Sequence, residues 1–113
     1  MAECMKRGWK VNMPFGDDSK YDVVVDTPDG LRRIQVKSCH KPDVRGRYRI
    51  NLKYGRHSSG AYSTEDCDII AAYVTPLNHW FLVPVEKVTT THLDLAHHHH
   101  DCLEAWGNIH EEA

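Results

Sequence analysis

Two short runs rich in β-branched residues, joined by a turn, constrain this chain more than any other feature. The first is Tyr21-Asp22-Val23-Val24-Val25-Asp26; the second is Leu31-Arg32-Arg33-Ile34-Gln35-Val36-Lys37-Ser38, with Thr27-Pro28-Asp29-Gly30 between them. Val and Ile suit a pleated surface, Pro presets φ for a turn and Gly accepts positive φ, so the stretch predicts an antiparallel hairpin. If Thr27 to Gly30 form a four-residue loop, Asp26 pairs with Leu31, Val24 faces Arg33 and Asp22 faces Gln35. Strand side chains alternate between faces, so Asp22, Gln35 and Lys37 share one. Directly opposed Cβ atoms lie about 4.5–5.5 Å apart and diagonal ones roughly 7–8 Å. A carboxylate, an amide oxygen and an ammonium then converge on a patch able to hold a cation and a water. From the residues alone, the same set is also readable as a cross-strand polar pair beside a surface lysine.

With 113 residues and 41% hydrophobic content, the chain has the size and composition of one globular domain. No apolar run approaches a membrane span and no signal-peptide stretch opens the sequence, so the expected setting is intracellular, away from membranes. Cys4, Cys39, Cys67 and Cys102 lack CxxC spacing and read as reduced, structural thiols. The net charge of −2 conceals an asymmetry. Residues 1–58 carry 13 Lys and Arg against 7 Asp and Glu, whereas residues 59–113 carry 1 against 9. Only the basic half can neutralise phosphates, and it contains the candidate site.

Around the hairpin, Ala2 to Arg7 reads as a short helix ended by Gly8, and Trp9 to Phe15 as extended chain. Ser38 to Gly46 is a loop punctuated by Pro42 and Gly46. Arg47 to Tyr54 then alternates strictly, with Tyr48, Ile50, Leu52 and Tyr54 on one face and Arg47, Arg49, Asn51 and Lys53 on the other. That predicts a half-buried strand whose basic face either meets phosphate or protects a sheet edge. Gly55 to Tyr62 is a connection bearing Arg56 and His57. Ile69 to Val74 is continuously apolar, as for a central strand, and Trp80 to Val85 is a further strand with Pro84 at an edge or at the end of its pairing. Residues 1–90 are expected to form the core. Residues 91–113 form a tail with the tract His97 to His100 and a capping-like Asp101-Cys102-Leu103-Glu104. Adjacent histidines lack structural zinc spacing, so a polar connection is the simpler reading.

Asp22 … Gln35-Val36-Lys37 resembles the core of the PD-(D/E)xK nucleases, in the variant where Gln replaces the second acid. Arg7-Gly8-Trp9-Lys10-Val11, Pro14-Phe15-Gly16-Asp17 and Tyr21-Asp22 are similar to the small group of these enzymes associated with group I introns. Asp66-Cys67-Asp68-Ile69-Ile70-Ala71-Ala72-Tyr73 and Trp80-Phe81-Leu82-Val83-Pro84-Val85 match the same pattern, so the resemblance spans about residues 2–88. It implies an α/β (α+β) fold with a mixed, mostly antiparallel sheet, short flanking helices and a restriction-endonuclease-like core.

The resemblance also implies Mg²⁺-dependent DNA cleavage, with Mn²⁺ able to substitute, by an endonuclease of homing type acting as a dimer or tetramer. Its metal ligands would be Asp22, Gln35 and the Val36 backbone carbonyl, with Lys37 acting on the attacking water. The family's further helix-borne glutamate has no clear counterpart here; Glu3, five residues before Gly8, is the candidate. Arg33, Arg45, Arg47, Arg49, Lys53, Arg56 and His57 are the expected DNA contacts. A branched-DNA resolvase, a non-catalytic DNA-binding module and a metal-binding protein using the His tract remain the alternatives.

Overall fold

The structure is a computed structural model that describes residues 2–12, 22–52, 66–88, 92–95 and 99–109. Among these residues a short helix, α1 (Ala2–Lys6), precedes seven strands: β1 (Lys10–Asn12), β2 (Val23–Thr27), β3 (Gly30–Cys39), β4 (Arg49–Asn51), β5 (Ile69–Val74), β6 (His79–Pro84) and β7 (His92–Asp94). Five of them form the main sheet in the order β1-β2-β3-β5-β6, and β4 pairs with β7 in a separate two-stranded sheet. Among the described residues, only the β3–β5 pair is parallel and the other pairs are antiparallel.

The hairpin forms in the expected register, with Asp26 opposite Leu31 and Val24 opposite Arg33. Its turn is tighter than a four-residue loop, because pairing continues to Thr27 and Gly30 and leaves only Pro28 and Asp29 between the strands. Gly30 makes this possible at φ +122°, and the Thr27 hydroxyl donates to the Gly30 carbonyl at 2.8 Å. β3 also runs on to Cys39, past the loop expected from Ser38, since Ser38 and Cys39 find parallel partners in Tyr73 and Val74. His40 closes that end, its ring nitrogens lying 3.3 Å from Ser38 Oγ and 3.0 Å from Thr75 Oγ1.

Alternation along β5 and β6 feeds two cores, one on each face of the sheet. On one face Ile70, Ala72, Val74, Phe81 and Val83 pack against Ile50, Leu52, Leu93 and Leu95. On the other, Val23, Val25, Ile34, Ile69, Ala71 and Leu82 pack against Cys4, Trp9, Trp106 and Ile109. β5 is therefore buried on both faces, and fully burying each large aliphatic side chain is worth about 1.5–3 kcal/mol. β6 forms the edge and its pairing ends at Pro84 opposite Ile69. The basic strand leaves the main sheet altogether: it shortens to Arg49–Asn51, joins β7, and turns Ile50 and Leu52 onto the core. The tail is part of both cores through Cys102, Trp106 and Ile109. α1 is too short to hold itself, and docks through the fully buried Cys4. All four cysteines are free and buried.

Candidate active site

Asp22 stands where the chain enters β2. Its N–H donates to the Ile34 carbonyl at 2.8 Å, and strand pairing begins at the next residue, Val23 opposite Ile34. The Asp22 side chain then does what a backbone carbonyl would do further along the ladder. Its Oδ2 accepts the Val36 N–H at 2.8 Å and the Gln35 amide Nε2 at 2.8 Å. The same Nε2 lies 3.3 Å from the Val36 carbonyl oxygen. Both neighbours are acceptors, so the amide presents its nitrogen to them and turns its oxygen away.

Gln35 is only 9% exposed, whereas Asp22 is exposed, so the pair joins the core to the surface. Ile34 and Val36 belong to the face carrying Trp9 and Trp106, and Cys39 belongs to the opposite face. Alternation puts Gln35 and Lys37 with Cys39, on the side covered by β4 and β7. Lys37 is half-buried and lies opposite Ala72 in the parallel pair. Beneath Gln35, burial first and the nearby Asp66 second push the Cys67 thiol up to about 12, so it is a packing group and not a nucleophile.

The expected DNA contacts fall into different surroundings. Arg45 and Arg49 are exposed. Arg33 is bound to Asp68, with its Nε and Nη2 each 3.4 Å from a carboxylate oxygen. Arg47 is paired with Asp43 at 3.0 Å. Asp43 organises the loop leading to β4, since its Oδ1 also accepts the Arg45 and Arg47 N–H groups at 2.9 Å. These bonds, led by the backbone one from Arg47, hold the Asp43 carboxyl below its ordinary value. Lys53, Arg56 and His57 lie outside the described residues, as do His97 and His98 of the tract. Glu3 pairs with Arg7 at 3.2 Å on α1, beside the Trp9 and Trp106 face.

Sequence reasoning had no account of Asp68 as the anchor of Arg33, nor of the Val36 N–H as a holder of Asp22. The first had a signal in the acids flanking Cys67; the second is a backbone group and has none. The Asp22 carboxylate and the Val36 carbonyl are hard oxygen donors of the kind Mg²⁺ and Mn²⁺ take, and the Gln35 side chain carries a third on the same group that now turns its nitrogen to them. The donor set therefore fits such an ion. Among the described residues there is no group of three or more His, Cys, Asp or Glu that could hold a metal.

Residues 1–104 match a family described as PD-(D/E)XK endonuclease. Among solved structures the chain is similar to a bacterial homing endonuclease, I-Ssp6803I, at 27% identity and a TM-score of 0.80, over 99% of this chain and 90% of that one. No curated protein matches in sequence.

Proposed function

The chain belongs to the PD-(D/E)XK endonuclease family, and from that premise we propose that it hydrolyses DNA phosphodiester bonds with a divalent cation, Mg²⁺ or Mn²⁺, as a nuclease of homing type. The restriction-endonuclease-like fold provides the frame. The observation that carries the proposal is the convergence of Asp22, Gln35 and the Val36 backbone within 2.8–3.3 Å at the mouth of the β2–β3 hairpin.

When bound there, the cation would lower the pKa of a water and offset charge on a non-bridging phosphate oxygen. Asp22 supplies the anchoring charge, and the Val36 N–H fixes its carboxylate in orientation. Gln35 adds a neutral oxygen donor in place of a second acid. Lys37, on the same face, orients the attacking water or stabilises the negative charge that develops on the phosphoryl group. In the reaction, water oxygen bonds to phosphorus, the bond from phosphorus to one deoxyribose oxygen breaks, and that oxygen takes a proton. Arg45 and Arg49 would hold neighbouring phosphates, and a dimer or tetramer would let so small a core reach a long DNA site.

Nicking of supercoiled plasmid by the purified protein, with Mg²⁺ and with chelator, tests this. Cleavage that survives chelation, or no cleavage in Mg²⁺ or Mn²⁺ on any DNA, would refute it. The Glu3–Arg7 pair favours one second reading. It engages the one acid on α1, as a DNA-binding module without catalysis would allow. Such a module binds DNA but need take up no divalent cation, which calorimetry distinguishes.

A further inference from the structure

We infer that Gln35 is a two-position latch whose amide nitrogen stands in for the cation when none is bound, and whose amide must turn over when one binds. The inference rests on the metal-dependent reading of the site, and adds a coupling between cation binding and the fold. Nε2 bridges Asp22 Oδ2 at 2.8 Å and the Val36 carbonyl at 3.3 Å. Those are two of the oxygens a cation would take, and the third, the amide oxygen, is on the same group facing away. A bound cation and the amide nitrogen cannot share the pocket, because both present positive charge to the same lone pairs.

The exchange is cheap in bonds. Asp22 Oδ2 accepts two hydrogen bonds, one from Val36 N–H and one from Gln35. Turning the amide releases one lone pair of Oδ2 and one of the Val36 carbonyl while the Val36 N–H keeps its hold. The same rotation brings the amide oxygen round to where the nitrogen was. The position thus needs a side chain that is a donor in one state and an acceptor in the other, and an amide is both. An ionised glutamate of the same length is an acceptor only. Without a cation it would set two carboxylates at hydrogen-bond distance with Gln35's site nearly buried, where like charges repel strongly.

Gln35 is the only glutamine in the sequence, so glutamine side-chain ¹⁵N labelling gives a single NH₂ signal to follow. In chelator, the DNA-free protein should show two inequivalent amide protons, both held back from exchange with water. Titration with MgCl₂ or MnCl₂ should shift that pair (or broaden it, for Mn²⁺) and speed its exchange, saturating together with the heat of binding. An amide signal unchanged while heat of binding is recorded, or no cation binding at all, overturns the latch.

Melting provides a second test. In chelator, Gln35→Glu should lower Tm by about 4–8 °C, and adding Asp22→Asn should remove most of that loss. In Mg²⁺, Gln35→Glu should recover more than the parent gains. Equal melting of parent and Gln35→Glu in chelator overturns the inference. Plasmid nicking is scored separately: nicking with a silent amide leaves the nuclease standing and removes the latch, and the reverse result does the opposite.

Discussion

Arg33 and Asp68 hold each other at four points. The Arg33 N–H donates to Asp68 Oδ2 at 2.8 Å, the Asp68 N–H returns to the Arg33 carbonyl at 2.8 Å, and the guanidinium adds two contacts at 3.4 Å. This clamp sits one residue before the parallel pairing of Ile34 with Ile69. It fixes where β5 meets β3, and hence the wall against which Gln35 is set.

Asp68→Ala should therefore destabilise the fold, by about 1–3 kcal/mol for the orphaned Arg33 N–H. The ion pair is about one-third exposed on both sides and adds at most about 1 kcal/mol. Asp68→Asn, which keeps an acceptor, should cost less. Urea denaturation checks both, and equal losses for the two variants would contradict this account.

Asp22→Asn should remove metal-dependent cleavage while leaving DNA binding intact or improved, since a negative charge near phosphate is lost. Metal-ion catalysis is worth several kcal/mol, so the rate should fall by roughly a thousandfold or more. Single-turnover cleavage alongside a binding titration checks this; a folded variant cutting at the parent rate would remove Asp22 from the site.

The arginines of the basic half should divide. Arg45→Ala and Arg49→Ala are each expected to shallow the slope of log affinity against log salt by about 0.9, one phosphate contact, on unrelated DNA sequences. Arg47→Ala should weaken binding too, but with a loss of loop order that the other two lack, because its guanidinium is tied to Asp43. Amide exchange of Arg45 and Gly46 reads the difference, and identical exchange in all three variants would count against it.

Acid should loosen that same loop. The Asp43 carboxyl is lowered from 3.8, so the stability it contributes is complete above that value and is lost as pH falls through the lower, folded value. Exchange protection at Arg45 and Arg47 should decline below pH 3.8, and Asp43→Asn should flatten the decline. A profile identical to the parent's would assign the acid effect to other groups.

Cys67 and Cys102 should resist thiol reagents at pH 8 in the native protein, because burial pushes them up to about 12 and about 11. Unfolding in urea should release all four thiols at once. Rapid native labelling of Cys67, identified by peptide mapping, would show that the floor beneath Gln35 opens readily.

Local chemistry is what the sequence displayed well. Pro28 to Gly30 announced a hairpin and its register, which sets Asp22 beside Gln35. The uniform apolarity of Ile69 to Val74 marked a strand buried on both faces. What escaped was set by distant partners. Ser38 and Cys39 are strand only because Tyr73 and Val74 lie alongside, and Arg49 to Asn51 left the main sheet because His92 to Asp94 offered a partner. The ion pairs of Arg33 and Arg47 were not legible, because a basic residue in sequence carries no sign of the aspartate it will meet. The tail had apolar residues to offer but no periodicity, and its two short 3-10 turns, His100–Cys102 and Trp106–Asn108, take their shape from the sheet they cover.

The parallel β3–β5 pair has a consequence for how the molecule assembles. Ile34 and Ile69 are 35 positions apart, so this central contact is made only after a long stretch of chain has been closed, an entropic penalty that slows folding. The β2–β3 hairpin has no such delay, since its strands are two residues apart and hairpins close in about 1–10 μs. Asp22 and Gln35 are thus brought together by a local event that needs no distant partner. The strands that carry Asp22 and Gln35 can therefore pair before the parallel strand that supports them is in place.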